Sequence, residues 1–188
     1  MAMDDTPHGA EAVPVEKKLD DLYALIEGID VAMFTTRRAD GHLVSRPMST
    51  QEQGGGADFW FVTDGDADKL DELEHDPQVN LAYYRDKTRE WVSVSGTARS
   101  SRDREQIHRL YQPDWKAWFG DEGGERDGGP DDPRLTLVLV DAHSVVYMKS
   151  DTPRPVVLFE VVKGMVTGSA PDIGSVRMVS GAEMHGAR

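Results

Sequence analysis

Two cations, Arg46 and Lys69, lie in segments whose residue types suggest a site for a phosphate group. Arg46 belongs to the stretch HLVSRPMST, and Lys69 follows the aromatic stretch DFWFVTDG by four residues. An arginine binds a phosphate through two parallel hydrogen bonds, whereas a lysine acts as a point charge. The start of a helix adds free N–H groups and a favourable dipole for an anion. We therefore expect Arg46 and Lys69 to hold a phosphate monoester where a helix begins.

Aromatic side chains near these cations suggest the rest of the ligand. Trp60 and Phe61 precede Lys69 in the chain, and Trp91 lies in a later stretch that alternates like a strand. Such rings could flank a flat heteroaromatic ring, so the residues fit a phosphorylated heteroaromatic cofactor. In the alternative interpretation, the two cations only cap sheet edges, and Trp60 and Phe61 belong to the core. The spacing alone does not separate the two.

Most other catalytic and binding motifs are missing. The chain has no glycine-rich loop for a dinucleotide or a triphosphate, and no serine has the flanking glycines of a hydrolase nucleophile. Its six histidines are scattered and include no pair spaced for zinc. The chain contains no cysteine, which excludes disulfides and thiolate chemistry. The acidic loop 121–132 lacks the EF-hand pattern, so we expect no metal site.

The charge and hydropathy of the chain limit its partners. Thirty-four acidic and 21 basic residues give a formal net charge of −13 at pH 7. Nucleic-acid binding depends on Lys and Arg that neutralise phosphates, so we expect no nucleic-acid partner. No apolar stretch approaches the roughly 20 residues of a membrane span, and the acidic N-terminus is unlike a signal peptide. We expect a cytoplasmic protein that does not bind membranes.

The spacing of apolar residues predicts the elements that position the site. Residues 1–14 lack periodicity and are predicted to be a flexible leader, whereas apolar residues recur at helical spacing over 15–29. Two strand-like runs follow, and Asp40-Gly41 between them is typical of a hairpin turn. A third strand leads into a short helix that carries Lys69. We expect Asp64 or Asp66 to cap that helix.

The second half of the chain continues the strand pattern. Residues 78–85 and 90–100 alternate, and residues 102–119 fit one or two helices. The stretch RLTLVLVDAHSVVYMKS predicts two strands linked near residues 141–143, and residues 168–188 are predicted to be a C-terminal tail. Six or seven antiparallel strands without βαβ alternation predict a mainly β (α+β) fold, an antiparallel β-barrel with peripheral helices.

Three stretches, taken in order, resemble the FMN-binding split-barrel superfamily of pyridoxamine 5′-phosphate oxidase, and within it the general stress protein branch. They are DVAMFTTRRADGHLVSRPMS, DFWFVTDGDADKLDELEHDPQVNLAYY and EWVSVSGTARS. The resemblance covers roughly residues 17–150, and the segment KGMVTG near the end of the chain is more weakly similar. It implies a split-barrel flavin-binding domain over 15–167 and a homodimer with FMN at the interface. The alternatives to FMN as the cofactor of the same barrel are FAD, a deazaflavin and haem.

The resemblance also implies roles for individual residues. The cofactor-binding set would be Arg46, Pro47, Met48, Ser49, Val62, Thr63, Asp64, Lys69, Trp91 and Ser93. The RPMS residues would follow the edge of the flavin, and Thr63, Asp64 and Lys69 would surround the ribityl phosphate. Arg46 would be the second cation, and its loss is expected to weaken binding more than the loss of Lys69. Trp91 and Ser93 would approach the cofactor from the other subunit.

Departures from the oxidase pattern argue against a vitamin B6 substrate. Ala67 and Asp68 replace the serine and arginine that precede the lysine in the oxidases, and the arginine motif at their C-terminus is absent. Asp68 would repel a phosphate if it faced the ligand. The expected function is therefore that of an FMN-dependent oxidoreductase of the general stress protein type, not a true pyridoxamine phosphate oxidase. The alternative is a flavin-binding protein that sequesters or senses the cofactor without turnover.

Overall fold

The computed structural model describes residues 13–52, 55–150 and 174–186, in which one sheet is formed by seven antiparallel strands. They are β1 (Val31–Arg37), β2 (Leu43–Ser49), β3 (Phe59–Asp64), β4 (Gln78–Arg85), β5 (Glu90–Ser101), β6 (Leu135–Lys149) and β7 (Ser175–Ser180). Within one sheet the strand order is β2-β1-β4-β5-β6-β3, and β7 also pairs with β6. The predicted mainly β, antiparallel architecture is confirmed.

Five helices lie around the sheet in the described part of the chain. They are α1 (Val15–Ile29), α2 (Lys69–His75), α3 (Arg104–Leu110), α4 (Trp115–Phe119) and α5 (Gly181–Gly186). The bounds of α1 are those predicted, because its apolar residues recur on one face and Leu19, Leu22, Leu25 and Ile26 are buried. None of the helices in the described ranges is long and apolar enough to cross a membrane.

The sheet curls but does not close, which gives the split barrel. Its two terminal strands, β2 and β3, approach each other at a bridge between Gln51 and Trp60, where the Gln51 amide donates to the Trp60 carbonyl at 2.8 Å. No other pairing joins β2 to β3 in the described residues. The free edges of the two strands therefore border an opening in the barrel wall.

Pro47 fits within β2 because of its position in the β1–β2 ladder. Backbone bonds link Arg38 to His42 and Asp30 to Thr50, so the hydrogen-bonded pairs of this hairpin fall at even-numbered residues. In an antiparallel pair the intervening residues turn their N–H and C=O groups away from the partner strand. Pro47 pairs with Met33 at such a position, so its missing N–H costs no ladder bond. The backbone of Pro47 and Ser49 faces the opening.

Two hydrophobic cores hold the strands in place. Phe34, Phe61 and Leu81 lie in the core inside the barrel, where the rings of Phe34 and Phe61 meet edge to face at 5.2 Å. Trp60 and Trp115 lie in a second core, where α3 and α4 cover β3 and β6. Successive residues of β3 thus enter opposite cores, as the two-residue period of a strand requires. Trp60 and Phe61 are core residues, as the alternative interpretation held.

Three local features differ from the predictions. The stretch 135–149 is one strand and not two: His143 is an extra residue opposite Ser95 and Gly96, so β6 bulges there instead of turning. The N-cap of α2 is Asp68, not Asp64 or Asp66, and its side chain makes no capping bond. Residues 175–186, placed in a tail by sequence, form β7 and α5. The predicted leader up to residue 12 and the KGMVTG segment lie outside the described residues.

Candidate functional site

A groove of about 290 Å³ opens where β2 and β3 diverge. Its lining residues come from the two strand edges, from the segment leading into α2 and from α4: Pro47, Met48, Ser49, Gln51, Val62, Thr63, Asp64, Ala67, Lys69, Asp114, Trp115, Trp118 and Phe119. We call it the β2–β3 groove. Small-molecule sites have volumes of roughly 300–1,000 Å³, so this open groove suits a compact ligand that extends into solvent.

Lys69 supplies the positive charge of the β2–β3 groove. Its Nζ donates a hydrogen bond of 2.6 Å to Thr63 Oγ1, which fixes the ammonium group on the β3 side. Burial, followed by the nearby charge of Arg46, lowers the pKa of Lys69 below its ordinary value, although Asp64 and Glu72 oppose the shift. A cation disfavoured by burial gains from an anionic partner. Lys69 is therefore well placed to hold a phosphate.

Arg46 borders this site, but its guanidinium group is occupied. Nη2 donates to both carboxylate oxygens of Glu72, at 2.8 and 2.7 Å, and Nη1 donates to Thr36 Oγ1 at 2.7 Å. Burial alone would raise the pKa of Glu72, but the bonds from Thr36 and Arg46 outweigh it and lower that pKa. Arg46 thus contributes to the field around Lys69, while its hydrogen-bonding fork is directed at Glu72.

Seven of the ten predicted cofactor residues line the one groove: Pro47, Met48, Ser49, Val62, Thr63, Asp64 and Lys69. Arg46 stands beside it, whereas Trp91 and Ser93 lie elsewhere on β5. Asp68 is exposed at the start of α2 and does not line the groove. That these residues bind a cofactor stays a prediction, but the structure brings most of them together.

Trp91 and Ser93 belong to a broad uncharged surface on the outside of the sheet. Cross-strand pairs place Pro47, Met33, Ala82, Ser93, Val146 and Met178 in one row, and Tyr84, Trp91, Met148 and Val176 in a second. A third row contains Ser45, Thr35, Asn80, Ser95 and Ser144. We call these rows the outer sheet face. It includes exposed Met33, Tyr84 and Met178, and none of its residues is charged.

Sequence reasoning missed the wall that α4 contributes to the groove. Trp115, Trp118 and Phe119 all line it, and Trp115 Nε1 donates a 2.9 Å hydrogen bond to Gln51 Oε1. The available signal was three aromatic residues within the five of WKAWF, closed by Gly120 at a φ of 66°. The contact between Trp115 of α4 and Gln51, two residues after β2, joins positions 64 residues apart, which a local pattern does not reveal.

A second cavity, of about 500 Å³, lies on the other side of Gln51 beneath α1. Glu27, Asp30, Glu52 and Asp58 are among its lining residues, and it also contains the rings of Tyr23 and Phe59. Its charge is unsuited to a phosphate. In the described ranges, no group of three or more His, Asp or Glu side chains is arranged to hold a metal ion.

Two sequence comparisons with known proteins place the chain in one family. A family model described as "Pyridoxamine 5′-phosphate oxidase like" matches residues 17–172. The protein bli-3 of Neurospora crassa is 35% identical over 178 residues, which cover 92% of this chain and 84% of that protein. The match thus extends over nearly the whole chain, beyond the stretches that carry the sequence resemblance.

Solved structures agree with the split barrel. A general stress protein 26 from Jannaschia sp. CCS1 superposes with a TM-score of 0.66 at 24% identity, over 88% of this chain and 99% of that one. A general stress FMN/FAD binding protein from Xanthomonas citri gives a TM-score of 0.54 at 29% identity, over 67% of this chain and 84% of that one. The first likeness concerns the fold alone.

Proposed function

The chain belongs to the family of proteins like pyridoxamine 5′-phosphate oxidase, and from that premise we propose that it binds FMN in the β2–β3 groove. The observation that carries the proposal is Lys69, a partly buried cation that lines the groove and is held by Thr63. The Xanthomonas citri relative is an FMN/FAD binding protein, which supports a flavin as the ligand. We assign the phosphate of FMN to Lys69 and Thr63.

The edge of β2 suits the polar rim of a flavin ring. The Pro47 carbonyl and the Ser49 amide face away from β1, on the side where the groove opens. Backbone groups at a strand edge that face away from the neighbouring strand are ready-made hydrogen-bonding partners. Met48 and Val62 supply apolar surface on the two sides of the groove. These residues would bind and orient the ring, and a bound flavin would supply the electron transfer of an oxidoreductase.

We further propose that the protein is a homodimer joined through the outer sheet face. An uncharged surface with exposed Met33, Tyr84 and Met178 is typical of an interaction site. A second copy is the occupant we infer, because a twofold pairing would bring two such faces together. Pro47 lies both on this face and in the groove. A partner's face can therefore reach the groove, and Trp91 and Ser93 on it are the residues predicted to do so.

One observation favours the non-catalytic alternative. Among the residues that the structure describes, no histidine or tyrosine lines the β2–β3 groove, and the chain has no cysteine. Among its described lining residues, the acid–base groups are the carboxylates of Asp64 and Asp114 and the amine of Lys69, with no imidazole or phenol. A protein that sequesters or senses FMN without turnover would need none.

The absorption spectrum of the purified protein tests the proposal. Flavin bands that persist through gel filtration are the expected result, and FAD, a deazaflavin and haem each give a different spectrum or a different released compound. The loaded protein is then mixed with NADPH under air. Steady oxidation of NADPH that is lost in Lys69→Met supports the function of an FMN-dependent oxidoreductase. A flavin that stays bound while no NADPH is consumed supports a protein that sequesters or senses FMN. A colourless protein that takes up no FMN on titration would contradict both.

A further inference from the structure

Trp118 is the most exposed large apolar side chain in the described part of the protein, at 84% of its full accessibility. It lies on α4 and lines the β2–β3 groove, together with Trp115 and Phe119. Single exposed apolar residues are common and need no explanation. Trp118 differs because the short helix that carries it is fixed on both sides by buried or bonded neighbours.

The first anchor joins α4 to the edge of β2. Trp115 is buried, and its indole N–H donates to the side chain of Gln51 at 2.9 Å. The amide nitrogen of the same Gln51 side chain donates to the Ser49 carbonyl at 3.0 Å. Gln51 thereby ties the helix to the strand residue that borders the groove.

The second anchor holds the C-terminal end of α4. Arg134, whose side chain is only 2% exposed, donates to the carbonyls of Phe119 and Gly120 at 2.8 and 3.0 Å. Its guanidinium group also lies 5.7 Å from the centre of the Phe119 ring and is paired with buried Asp132. A five-residue helix has little stability of its own. The anchors therefore hold in place the stretch of backbone that carries Trp118 beside the groove.

We propose that Trp118 is a platform on which the flat ring of the groove's ligand stacks. The inference rests on the proposed function, because it takes that ligand to be FMN. It assigns the two ends of the ligand to two different residues. Lys69 recognises the phosphate, and Trp118 recognises the heteroaromatic ring. A flat ring gains from an aromatic face on a helix that is already held in place, because the backbone then loses little conformational freedom on binding. Ligands without a ring gain nothing from it.

Two variants and three ligands test this inference. Trp118→Ala is expected to lower the affinities for FMN and for riboflavin by the same factor, about five- to a hundredfold. This is the range expected for the loss of one stacking partner. Trp118→Phe keeps an aromatic face and should recover most of that loss. Ribose 5-phosphate, which has the phosphate but no ring, should bind wild type and both variants alike. Leu43→Ala is the control, because Leu43 is also exposed (65%) but lies outside the groove.

The outcomes distinguish this inference from the function on which it rests. If wild type binds no FMN, the proposed function falls and this inference with it. If wild type and Trp118→Ala bind FMN equally, only the stacking role is overturned. It is also overturned if Trp118→Ala weakens ribose 5-phosphate as much as FMN, or if light scattering shows that the variant has changed its oligomeric state. Circular dichroism spectra matching wild type would show that each variant is folded.

Discussion

The Glu72 carboxylate binds the guanidinium group of Arg46 through both of its oxygens, so the conspicuous arginine of β2 is largely neutralised within the protein. Lys69, by contrast, bonds to the neutral hydroxyl of Thr63 and lines the β2–β3 groove. The order of importance expected from sequence, Arg46 before Lys69, is therefore reversed in our account. Arg46 supports the local field, and Lys69 makes the contact.

Lys69→Met is predicted to weaken FMN binding roughly ten- to a hundredfold, since hydrogen bonds to charged groups contribute about 1.5–3 kcal/mol. Riboflavin, which lacks the phosphate, should bind this variant as it binds wild type. Arg46→Met should cost less FMN affinity than Lys69→Met, and it should lower thermal stability because Glu72 loses its partner. Asp68→Asn, next to Lys69 but outside the groove, is the control. Isothermal titration calorimetry ranks the FMN affinities of the variants. A larger loss of affinity in Arg46→Met than in Lys69→Met would contradict the prediction.

FMN affinity is predicted to fall on the alkaline side earlier than an ordinary lysine would allow. In the free protein, burial and Arg46 lower the pKa of Lys69 from its usual 10.5. A bound phosphate dianion favours the charged ammonium, so the complex keeps the proton to higher pH than the free protein does. Affinity is therefore full below the lowered pKa and declines as the pH rises through it. Titrations from pH 7 to 10 measure this; riboflavin and Lys69→Met should lack the phosphate-dependent decline.

Sequence and structure agree where local signals suffice. The periodicity of α1 and the Asp40-Gly41 turn gave the right elements, because each is determined by neighbouring residues. The bulge in β6 was missed because it depends on strand pairing: Gly96 of β5 lets the Asp141 carbonyl approach where any side chain would collide. The Arg46–Glu72 pair was missed for a similar reason. Only the packing of α2 against the sheet brings residues 26 positions apart together.

The ion pair of Asp132 and Arg134 is predicted to be essential for the stability of the α4 wall. The bond from Arg134 lowers the pKa of Asp132 to about 2, so the folded state favours the carboxylate. Its contribution is complete above the ordinary pKa of 3.8 and is lost as the pH falls from there towards 2. Asp132→Asn should lower the free energy of unfolding by roughly 3 kcal/mol, the lower end of the range for breaking a buried ion pair, because the charged partner that Arg134 keeps, Glu122, is half exposed. Urea denaturation at pH 7 measures this.

Glu122→Gln is the matched control for that variant. Glu122 also contacts Arg134, at 2.9 Å, but its side chain is 53% exposed, so its loss should cost no more than about 1 kcal/mol. Equal effects of Asp132→Asn and Glu122→Gln would contradict the role that we give to burial.

A charge in the middle of the outer sheet face is predicted to break the dimer. Ala82 lies between Met33 and Ser93 in the central row, so Ala82→Glu would place a carboxylate inside the proposed interface. Light scattering at micromolar concentration should show a dimer for wild type and a monomer for the variant, with weaker FMN binding. Gln112→Glu adds the same charge on an exposed residue away from this face and should stay dimeric. A monomeric wild type would contradict the proposed dimer interface.

The most direct measurement of the central claim is a calorimetric titration of the flavin-free protein with FMN, repeated with riboflavin and with Lys69→Met. We predict saturable binding of one FMN per chain in wild type, weaker binding of riboflavin, and equal, weak binding of both ligands in Lys69→Met. That pattern would place the phosphate at Lys69 in the β2–β3 groove. Equal affinities of wild type and Lys69→Met for FMN, or no FMN binding by wild type, would contradict the account.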